Sequence, residues 1–338
     1  MITVETTPPQ PGTIRLGEFI QFRVSKPGPE VETRYLLVHE RIIYTKPVLD
    51  WTADPLFLFF PEAPGDYRMV VEWRAPDGSR GQVAVPFAVT AGTVVSWAPQ
   101  KVRVDRSTSL WAPSGWESMQ VESWEQQLVA LVKEVLTPGS VVYDVGANMG
   151  LYSVLFARLT GAEGHVYCFE ANPVCVHFLR ANLSHNAVAN ADIIPLAIAQ
   201  EAGWLRFNIN YGNSNLGLSE VSHFYAAKTG HEIQVECRDL DGVVSQLGLP
   251  PPGLIKIDIE GAEERAIRGM HSTLAAHLPI LVLELHGAEV ARLTLDLLTP
   301  MGYRYRHPSQ PEQVLEQGEL LDRHATGVFQ TVAQVPRG

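Results

Sequence analysis

The sequence has little of what a disulfide framework, a membrane span or a nucleic-acid-binding surface requires. Its 338 residues include three cysteines and no Cys-x-x-Cys pair, so neither a disulfide framework nor a zinc ribbon is supported. No run approaches the roughly 18 apolar residues that a membrane helix needs. Lys and Arg number 26 against 37 Asp and Glu, a formal net charge of -11. Because nucleic-acid binding needs clustered basic side chains, we expect no nucleic-acid partner. Because no apolar run is long enough, we expect no transmembrane segment.

Two further absences concern targeting and metal binding. Residues 1–12 lack the basic start and apolar stretch of a secretory signal peptide, so we expect a cytoplasmic protein. His177 follows Cys175 by two residues and could complete a Cys/Cys/His metal site. A chance pair on one helix face is the commoner origin of such spacing. We therefore predict reduced, buried cysteines and no metal there.

What the first 92 residues contain is a series of short strands separated by turns. Tyr67, Met69, Val71 and Trp73 alternate, which places one apolar row on one face of a strand. Chain length and 46% hydrophobic residues allow two domains, and we predict a small all-β sandwich over residues 1–92 that resembles bacterial immunoglobulin-like modules. The predicted strands are Ile14–Val24, Tyr35–Tyr44, Leu56–Phe60, Tyr67–Arg74 and Gln82–Val89.

The pattern changes after a connector predicted over residues 93–123. An amphipathic helix is expected from Glu122 until Pro138-Gly139 ends it. From Val141, apolar strands alternate with helices, which is typical of βαβ units and of the parallel sheet of an α/β fold. This second domain is placed at residues 124–338. The predicted strands are Val141–Val145, Gly164–Glu170, Asp192–Ile198, Leu254–Ile259, Ile280–Leu285, Tyr303–Arg306 and Gly327–Val335, with Trp204–Asn210 and Glu232–Arg238 as an inserted pair. Among the predicted helices, one covers Leu240–Leu247 and another follows the strand Leu254–Ile259 and runs to about His277.

A glycine-containing turn after the first of these strands predicts a cofactor site. The strand ends at Asp144 and continues through Gly146 and Gly150 into a helix whose free N–H groups meet a ligand. Twenty residues later the second strand ends at Glu170, where a carboxylate can accept hydrogen bonds from a ribose diol. Asp144 could accept from the ammonium of an amino acid moiety, which favours S-adenosylmethionine over NAD. The dehydrogenase motif G-x-G-x-x-G would place its second glycine where this chain has Asn148.

These motifs resemble those of the FkbM family of methyltransferases, and the resemblance runs from about Trp124 to the end. It implies a Rossmann-like class I methyltransferase fold, a mostly parallel seven-stranded sheet closed by a reversed C-terminal hairpin. It also implies S-adenosylmethionine as donor and a hydroxyl acceptor on a sugar, polyketide or similar metabolite. The cofactor positions implied are Asp144, Gly146, Asn148, Gly150 and Glu170, with Ala197 near the adenine. The matching segments are Asp144-Val-Gly-Ala-Asn148-Met-Gly150, Phe169-Glu170-Ala-Asn-Pro173, Pro195-Leu-Ala197-Ile, Asn213-Ser-Asn215, Asp239-Leu-Asp241 and Lys256-Ile-Asp258-Ile-Glu260-Gly261-Ala-Glu263.

Four titratable residues are predicted to form the catalytic site. Asp258 and Glu260 alternate with Lys256 along one strand, and Glu284 and His286 share a face at the end of the next strand. An alcohol that attacks a sulfonium needs in-line positioning and loss of its proton. His286 is the favoured base by its intrinsic pKa, ranked with Asp258, whereas the other carboxylates need raised pKa values.

Several alternatives stay open at this stage. The carboxylates could hold a divalent cation, which we do not favour, or Lys256 could simply pair with them. Glu263 is assigned to the first turn of the next helix, and Asn213 and Asn215 could cover the site. Besides an O-methyltransferase, the chain could be a nicotinamide-dependent oxidoreductase or a non-catalytic carbohydrate-binding or scaffold protein, and methyl transfer to nitrogen is also possible.

Overall fold

The computed structural model describes residues 3–7, 13–15, 20–25, 30–39, 42–43, 49–52, 56–59, 65–90, 100–103, 109–112, 126–209, 217–219, 231–307, 310–315 and 325–331. The chain divides into two compact units, Met1–Ala98 and Pro99–Gly338. The predicted boundaries at residues 92 and 123 stay predictions. Within the described residues, no helix combines the length and the apolar character needed to cross a membrane.

The N-terminal unit is built from strands in two sheets. β1, β3 and β7 form one antiparallel sheet, and β2-β9-β8-β4-β5 form the other, with β6 beside β4. Only β2 among the described strands here pairs in parallel, with β9. The bounds are β1 (Thr3–Thr7), β2 (Thr13–Arg15), β3 (Ile20–Ser25), β4 (Glu32–His39), β5 (Ile42–Ile43), β6 (Leu49–Thr52), β7 (Leu56–Phe59), β8 (Gly65–Arg74) and β9 (Arg80–Thr90).

A shared core joins these two sheets, as the predicted sandwich requires. Phe22 of β3 is buried in one cluster with Tyr35, Met69 and Phe87 of the other sheet. The alternation predicted along β8 is confirmed, since Tyr67, Met69 and Val71 are buried in that cluster. The single strand predicted over Ile14–Val24 is wrong, because the chain forms β2 and β3 in different sheets.

The C-terminal unit begins with a hairpin inside the predicted connector and continues as alternating strands and helices. Its elements are β10 (Gln100–Arg103), β11 (Ser109–Ala112), α1 (Gln126–Val135), β12 (Val141–Val145), α2 (Leu151–Thr160), β13 (His165–Phe169), α3 (Pro173–His185), β14 (Ala191–Ile194), β15 (Ala197–Ile198), β16 (Gly203–Ile209), β17 (Gly217–Ser219), β18 (His231–Arg238), α4 (Leu240–Leu247), β19 (Leu254–Ile257), α5 (Glu263–Arg268), α6 (His271–His277), β20 (Ile280–Leu285), α7 (Ala288–Leu298), a 3-10 turn (Thr299–Met301), β21 (Tyr303–His307), β22 (Gln310–Leu315) and β23 (Ala325–Thr331).

The main sheet of this unit confirms the Rossmann-like methyltransferase fold. Its strand order is β14-β13-β12-β19-β20-β23-β21-β22. The first five strands in this order run parallel, and β23 inserts antiparallel between β20 and β21. This is the predicted reversed C-terminal hairpin. Over the described residues this sheet has eight strands rather than seven, because β22 adds to its outer edge through β21.

A second, four-stranded sheet lies in the same unit, with the order β15-β18-β16-β17. It contains the inserted pair predicted from sequence, β16 and β18, which are antiparallel. The single strand predicted over Asp192–Ile198 is wrong. β14 ends before Pro195, which has no N–H to donate to a sheet, and β15 then pairs with β18.

One helix prediction also needs correction. The helix expected to run to about His277 is divided into α5 and α6 at Gly269-Met270. Gly269 packs so tightly that a Cβ built on it would lie 1.9 Å from the carbonyl oxygen of Ala199. The helix expected from Glu122 is described from Gln126, and its apolar face buries Leu128 and Val132.

Candidate functional site

A cleft opens at the carboxyl ends of β12, β13 and β19, the edge at which open α/β sheets bind ligands. It encloses about 810 Å³ of space, including its open mouth. Several sequence-predicted residues line it together with Leu205 and Phe207 of β16. These predicted residues are Gly146, Asn148, Glu170, Ala197, Asp258 and Glu260. Asp144, Gly150, Glu284 and His286 are not among the lining residues.

Gly146 brings the loops after β12 and β19 into direct contact. Its φ is +80°, and a Cβ built on it would lie 2.0 Å from the carbonyl oxygen of Asp258. The N–H groups of Gly146 and Ala147 both donate to the carbonyl of Phe169, at 2.9 and 3.1 Å. Only glycine satisfies the backbone angle and the close approach together. Gly146 therefore joins the ends of three neighbouring strands.

Asn148 occupies the place of the glycine that a dinucleotide motif would require. Its φ is +52°, a left-handed conformation that asparagine adopts more readily than other side-chain-bearing residues. Its N–H donates to Oε2 of Glu170 at 2.7 Å. The Asn182 side chain donates to the carbonyl of Met149 at 2.8 Å and supports the same loop. The sequence departs from glycine here while the backbone keeps a glycine-like angle.

The carboxylate of Glu170 is held by the backbone of two loops. Oε1 accepts from the N–H of Asn172 at 2.7 Å, and Oε2 accepts from Asn148. Burial raises the pKa of Glu170 to about 7, although these backbone donors oppose the rise. A carboxylate has about four lone-pair sites, more than the backbone donors Asn172, Asn148 and Ala171 fill. Glu170 can therefore accept hydrogen bonds from a ligand hydroxyl inside the cleft.

Asp144 lies fully buried next to the cleft. Its Oδ2 accepts from the Ser153 hydroxyl at 2.6 Å, while Oδ1 has no hydrogen-bond partner among the described residues and lies 4.0 Å from Nζ of Lys256. Burial raises the pKa of Asp144, and the Lys256 ammonium opposes this shift. Its predicted contact with a cofactor ammonium, direct or through water, stays a prediction.

The four residues predicted to be catalytic converge around the imidazole of His286. Nε2 of His286 lies 3.4 Å from Oε2 of Glu260, 3.6 Å from Oε1 of Glu284 and 4.0 Å from Oδ1 of Asp258. Lys256, also buried, lies 3.2 Å from Asp258. Asp258 and Glu260 line the cleft, so they are the members of this cluster that can face a ligand.

The reason for this convergence differs from the predicted one. β19 ends at Ile257, so Asp258 and Glu260 do not alternate along a strand as expected. They lie on a tight turn, in which Glu260 has φ +56° and Gly261 has φ +97°. The turn, rather than the pleat of a strand, directs both carboxylates toward His286.

The charges of this cluster stabilise one another. Burial opposes the charged imidazolium, but the hydrogen bond and charge of Glu263, together with the charges of Glu260 and Asp258, outweigh it and raise the pKa of His286 to about 9. Burial likewise opposes the Lys256 ammonium, yet the carboxylates of Asp258 and Asp144 raise its pKa. Burial raises the pKa of Glu260 to about 7, against the effect of His286. At neutral pH both basic groups are protonated and Glu260 is partly ionised.

Glu263 was assigned from sequence only to the first turn of a helix. It does begin α5, but its carboxylate is fully buried and lies 2.9 Å from Nδ1 of His286. The same oxygen accepts from the N–H groups of Ile259 and Gly261, at 3.3 and 3.0 Å. Its neighbour Glu264 pairs with Arg268 instead. The sequence gives two adjacent glutamates and no signal for which one turns inward.

A cation could bridge part of this cluster, since ligand atoms of Asp258, Glu284 and His286 all lie within 4.8 Å of one another. The Lys256 ammonium and the His286 imidazolium already face these carboxylates, and we assign no metal to them. The cysteines Cys168, Cys175 and Cys237 are buried and form no disulfide. Asn213 and Asn215 lie outside the described residues, as does the His177 side chain.

Comparison with known proteins gives the following matches. Residues 144–305 match the family model described as the methyltransferase FkbM domain. The chain is 31% identical over 182 residues to 31-O-demethyl-FK506 methyltransferase FkbM of Streptomyces tacrolimicus, covering 46% of this chain and 69% of that protein. It is 26% identical over 164 residues to hexuronic acid methyltransferase AglP of Haloferax volcanii, covering 48% of this chain and 62% of that protein.

Two further matches have lower identity. The chain is 25% identical over 227 residues to 2-O-methyltransferase NoeI of Sinorhizobium fredii, covering 63% of this chain and 80% of that protein. A crystal structure of methyltransferase FkbM from Methylobacillus flagellatus matches with 16% identity and a TM-score of 0.37, covering 60% of this chain and 50% of that chain.

Proposed function

Because this chain belongs to the FkbM family of methyltransferases, we propose that it methylates a hydroxyl group of a sugar, polyketide or other small metabolite. It is an S-adenosylmethionine-dependent methyltransferase, which decides against the nicotinamide-dependent oxidoreductase considered from sequence. Oxygen as the methylated atom is the proposed part. The names of two relatives, a 31-O-demethyl-FK506 methyltransferase and a 2-O-methyltransferase, support it.

The observation that supports S-adenosylmethionine as the cofactor is the set of groups that line the cleft. Glu170 offers carboxylate oxygens with free lone pairs, which suit a ribose diol. Gly146 leaves the backbone free of side-chain atoms where the loops meet. Ala197 lies with Leu205 and Phe207 on the cleft wall, an apolar surface on which an adenine ring could pack. The residues present therefore fit the cofactor.

The cofactor supplies a methyl group on a sulfonium, and the protein must position the acceptor and take its proton. Glu260 is the proposed proton acceptor, because it lines the cleft and its pKa of about 7 is close to neutral pH. Asp258 lines the cleft beside it. His286, with a pKa of about 9, keeps its proton at neutral pH. We propose that His286 orients these carboxylates, and that the base is Glu260 rather than His286.

Calorimetric titration with S-adenosylhomocysteine tests the cofactor site. We expect binding to the native protein, no binding of NAD, and a loss of affinity of at least about tenfold in Glu170→Ala, because hydrogen bonds to a charged group contribute about 1.5–3 kcal/mol each. Glu201→Ala, at an exposed position, is the matched control. Preference for NAD, or full affinity in Glu170→Ala, would overturn this assignment.

The acceptor atom needs a separate test. Native protein is incubated with a methyl-labelled donor and with pairs of sugars that carry either a hydroxyl or an amine at one carbon, and the products are identified by mass spectrometry. We expect label on oxygen. Label on nitrogen alone would refute O-methylation and leave the methyltransferase assignment intact.

A further inference from the structure

Glu263 connects two segments of the site that the sheet does not join at this point. The backbone pairing of β19 with β20 ends at Ile257 and Leu283. Beyond that pair, the turn over residues 258–261 and the segment that carries His286 leave their strands separately. Oε1 of Glu263 binds both, through the N–H groups of the turn and through Nδ1 of His286.

We propose that Glu263 is a positioning residue of the methyl-transfer site, which holds the imidazole of His286 in register with the turn that carries Asp258 and Glu260. The side chain is 0% exposed and makes these contacts through one oxygen. Ion pairs on a surface rarely fix geometry, but a buried carboxylate with three donors does. The catalytic consequence of this inference rests on the proposed function.

The hydrogen bond determines which nitrogen of His286 keeps the proton. A carboxylate accepts only, so Nδ1 must carry the hydrogen toward Glu263. Nε2 then faces the remaining charged groups around the ring. These are Asp258 and Glu260 on the turn and Glu284 on β20, with Lys256 behind Asp258. The turn carboxylates therefore receive their orientation from Glu263 through His286.

The competing explanation is that Glu263 only favours the start of α5, where an acidic side chain interacts with the helix dipole. Glu264 provides a matched control, since it lies in the same first turn and pairs with Arg268 rather than with the site. A dipole role predicts similar effects of Glu263→Gln and Glu264→Gln. A positioning role predicts an effect of Glu263→Gln alone.

Nitrogen-15 NMR of histidine-labelled protein tests the proposal without requiring methyl transfer. The signals of His286 are assigned by their loss in His286→Gln. In the native protein we expect Nδ1 to keep its proton even above the titration midpoint, when the ring becomes neutral. A neutral ring protonated on Nε2 would overturn the proposal, and the protonated nitrogen itself is identified in the native protein.

The variants Glu263→Gln and Glu264→Gln provide a second test of the proposal. Glu263→Gln should lower the His286 titration midpoint by about one to three pH units, because it removes an adjacent opposite charge. It should reduce kcat by roughly 10- to 100-fold through misplacement, with the KM for the donor changed less than about twofold. Glu264→Gln should change none of these values. Equal effects of the two variants would refute positioning, whereas NMR behaviour as expected without methyl transfer would refute only the proposed function.

Discussion

Replacing Gly146 by alanine tests the contact that joins the loops after β12 and β19. Alanine in a left-handed backbone conformation costs about 1–2 kcal/mol, and Gly146 has φ +80°. The new Cβ would also lie 2.0 Å from the Asp258 carbonyl oxygen. The contact is with backbone, so the turn must move, and overpacking of this kind costs a further 1–3 kcal/mol or so. The total expected loss is roughly 2–5 kcal/mol.

Gly248→Ala isolates the backbone contribution. Gly248 has φ +62°, and nothing lies within 4 Å of a Cβ built there. We expect a loss of about 1–2 kcal/mol for this variant. Hydrogen exchange of the β12 amides measures both losses within the C-terminal unit, independently of the N-terminal unit. Only Gly146→Ala should also weaken binding of S-adenosylhomocysteine. Equal losses in both variants, with binding kept in both, would show that the loops do not depend on this contact.

Two further predictions concern the ionisable groups. If Glu260 is the base, kcat/KM of the native protein rises as the pH passes through about 7, the raised pKa at which Glu260 loses its proton. Glu260→Gln should lower kcat by roughly 10²- to 10⁴-fold and abolish this rise, whereas Asp258→Asn should keep the rise. A pH–rate profile of each variant decides this, and a rise that persists in Glu260→Gln excludes it as the base. Ser153→Ala removes the 2.6 Å hydrogen bond to buried Asp144 and should destabilise the fold by about 1–3 kcal/mol in urea denaturation. Exposed Ser184→Ala should change stability by less than about 0.5 kcal/mol, and similar losses in the two serine variants would contradict this account of Asp144.

The sequence predicts most of the parallel sheet because buried strands and helices differ strongly in apolar periodicity. β12, α4 and β20 have the bounds expected for them. The predictions are wrong where tertiary packing determines which sheet a strand joins or where a helix ends. The position of Pro195 marks a break, but which sheet the chain joins afterwards depends on β18, about 40 residues away. Likewise, the division of α5 from α6 follows from the contact of Gly269 with a distant backbone carbonyl.

The sequence predicts which residues form the candidate site but not how they are arranged. The alternation expected along a strand predicts the correct sheet edge for Asp258 and Glu260, but both residues lie beyond the end of β19, on a turn with a left-handed glutamate. Intrinsic pKa favours His286 as a base, whereas three-dimensional neighbours raise its pKa to about 9. Glu263 could not be distinguished from Glu264, because the full burial of one and the partial exposure of the other depend on the turn that precedes them.

Two non-glycine residues in a left-handed conformation place conformational strain at the cleft. Asn148 and Glu260 have φ values of +52° and +56°, and both line the cleft. Such strain is of order 1–2 kcal/mol for an ordinary side chain, and glycine would relieve it at either position. Glycine would also delete a side chain that faces the ligand. At these two positions, a more stable protein and a more active one therefore call for different residues.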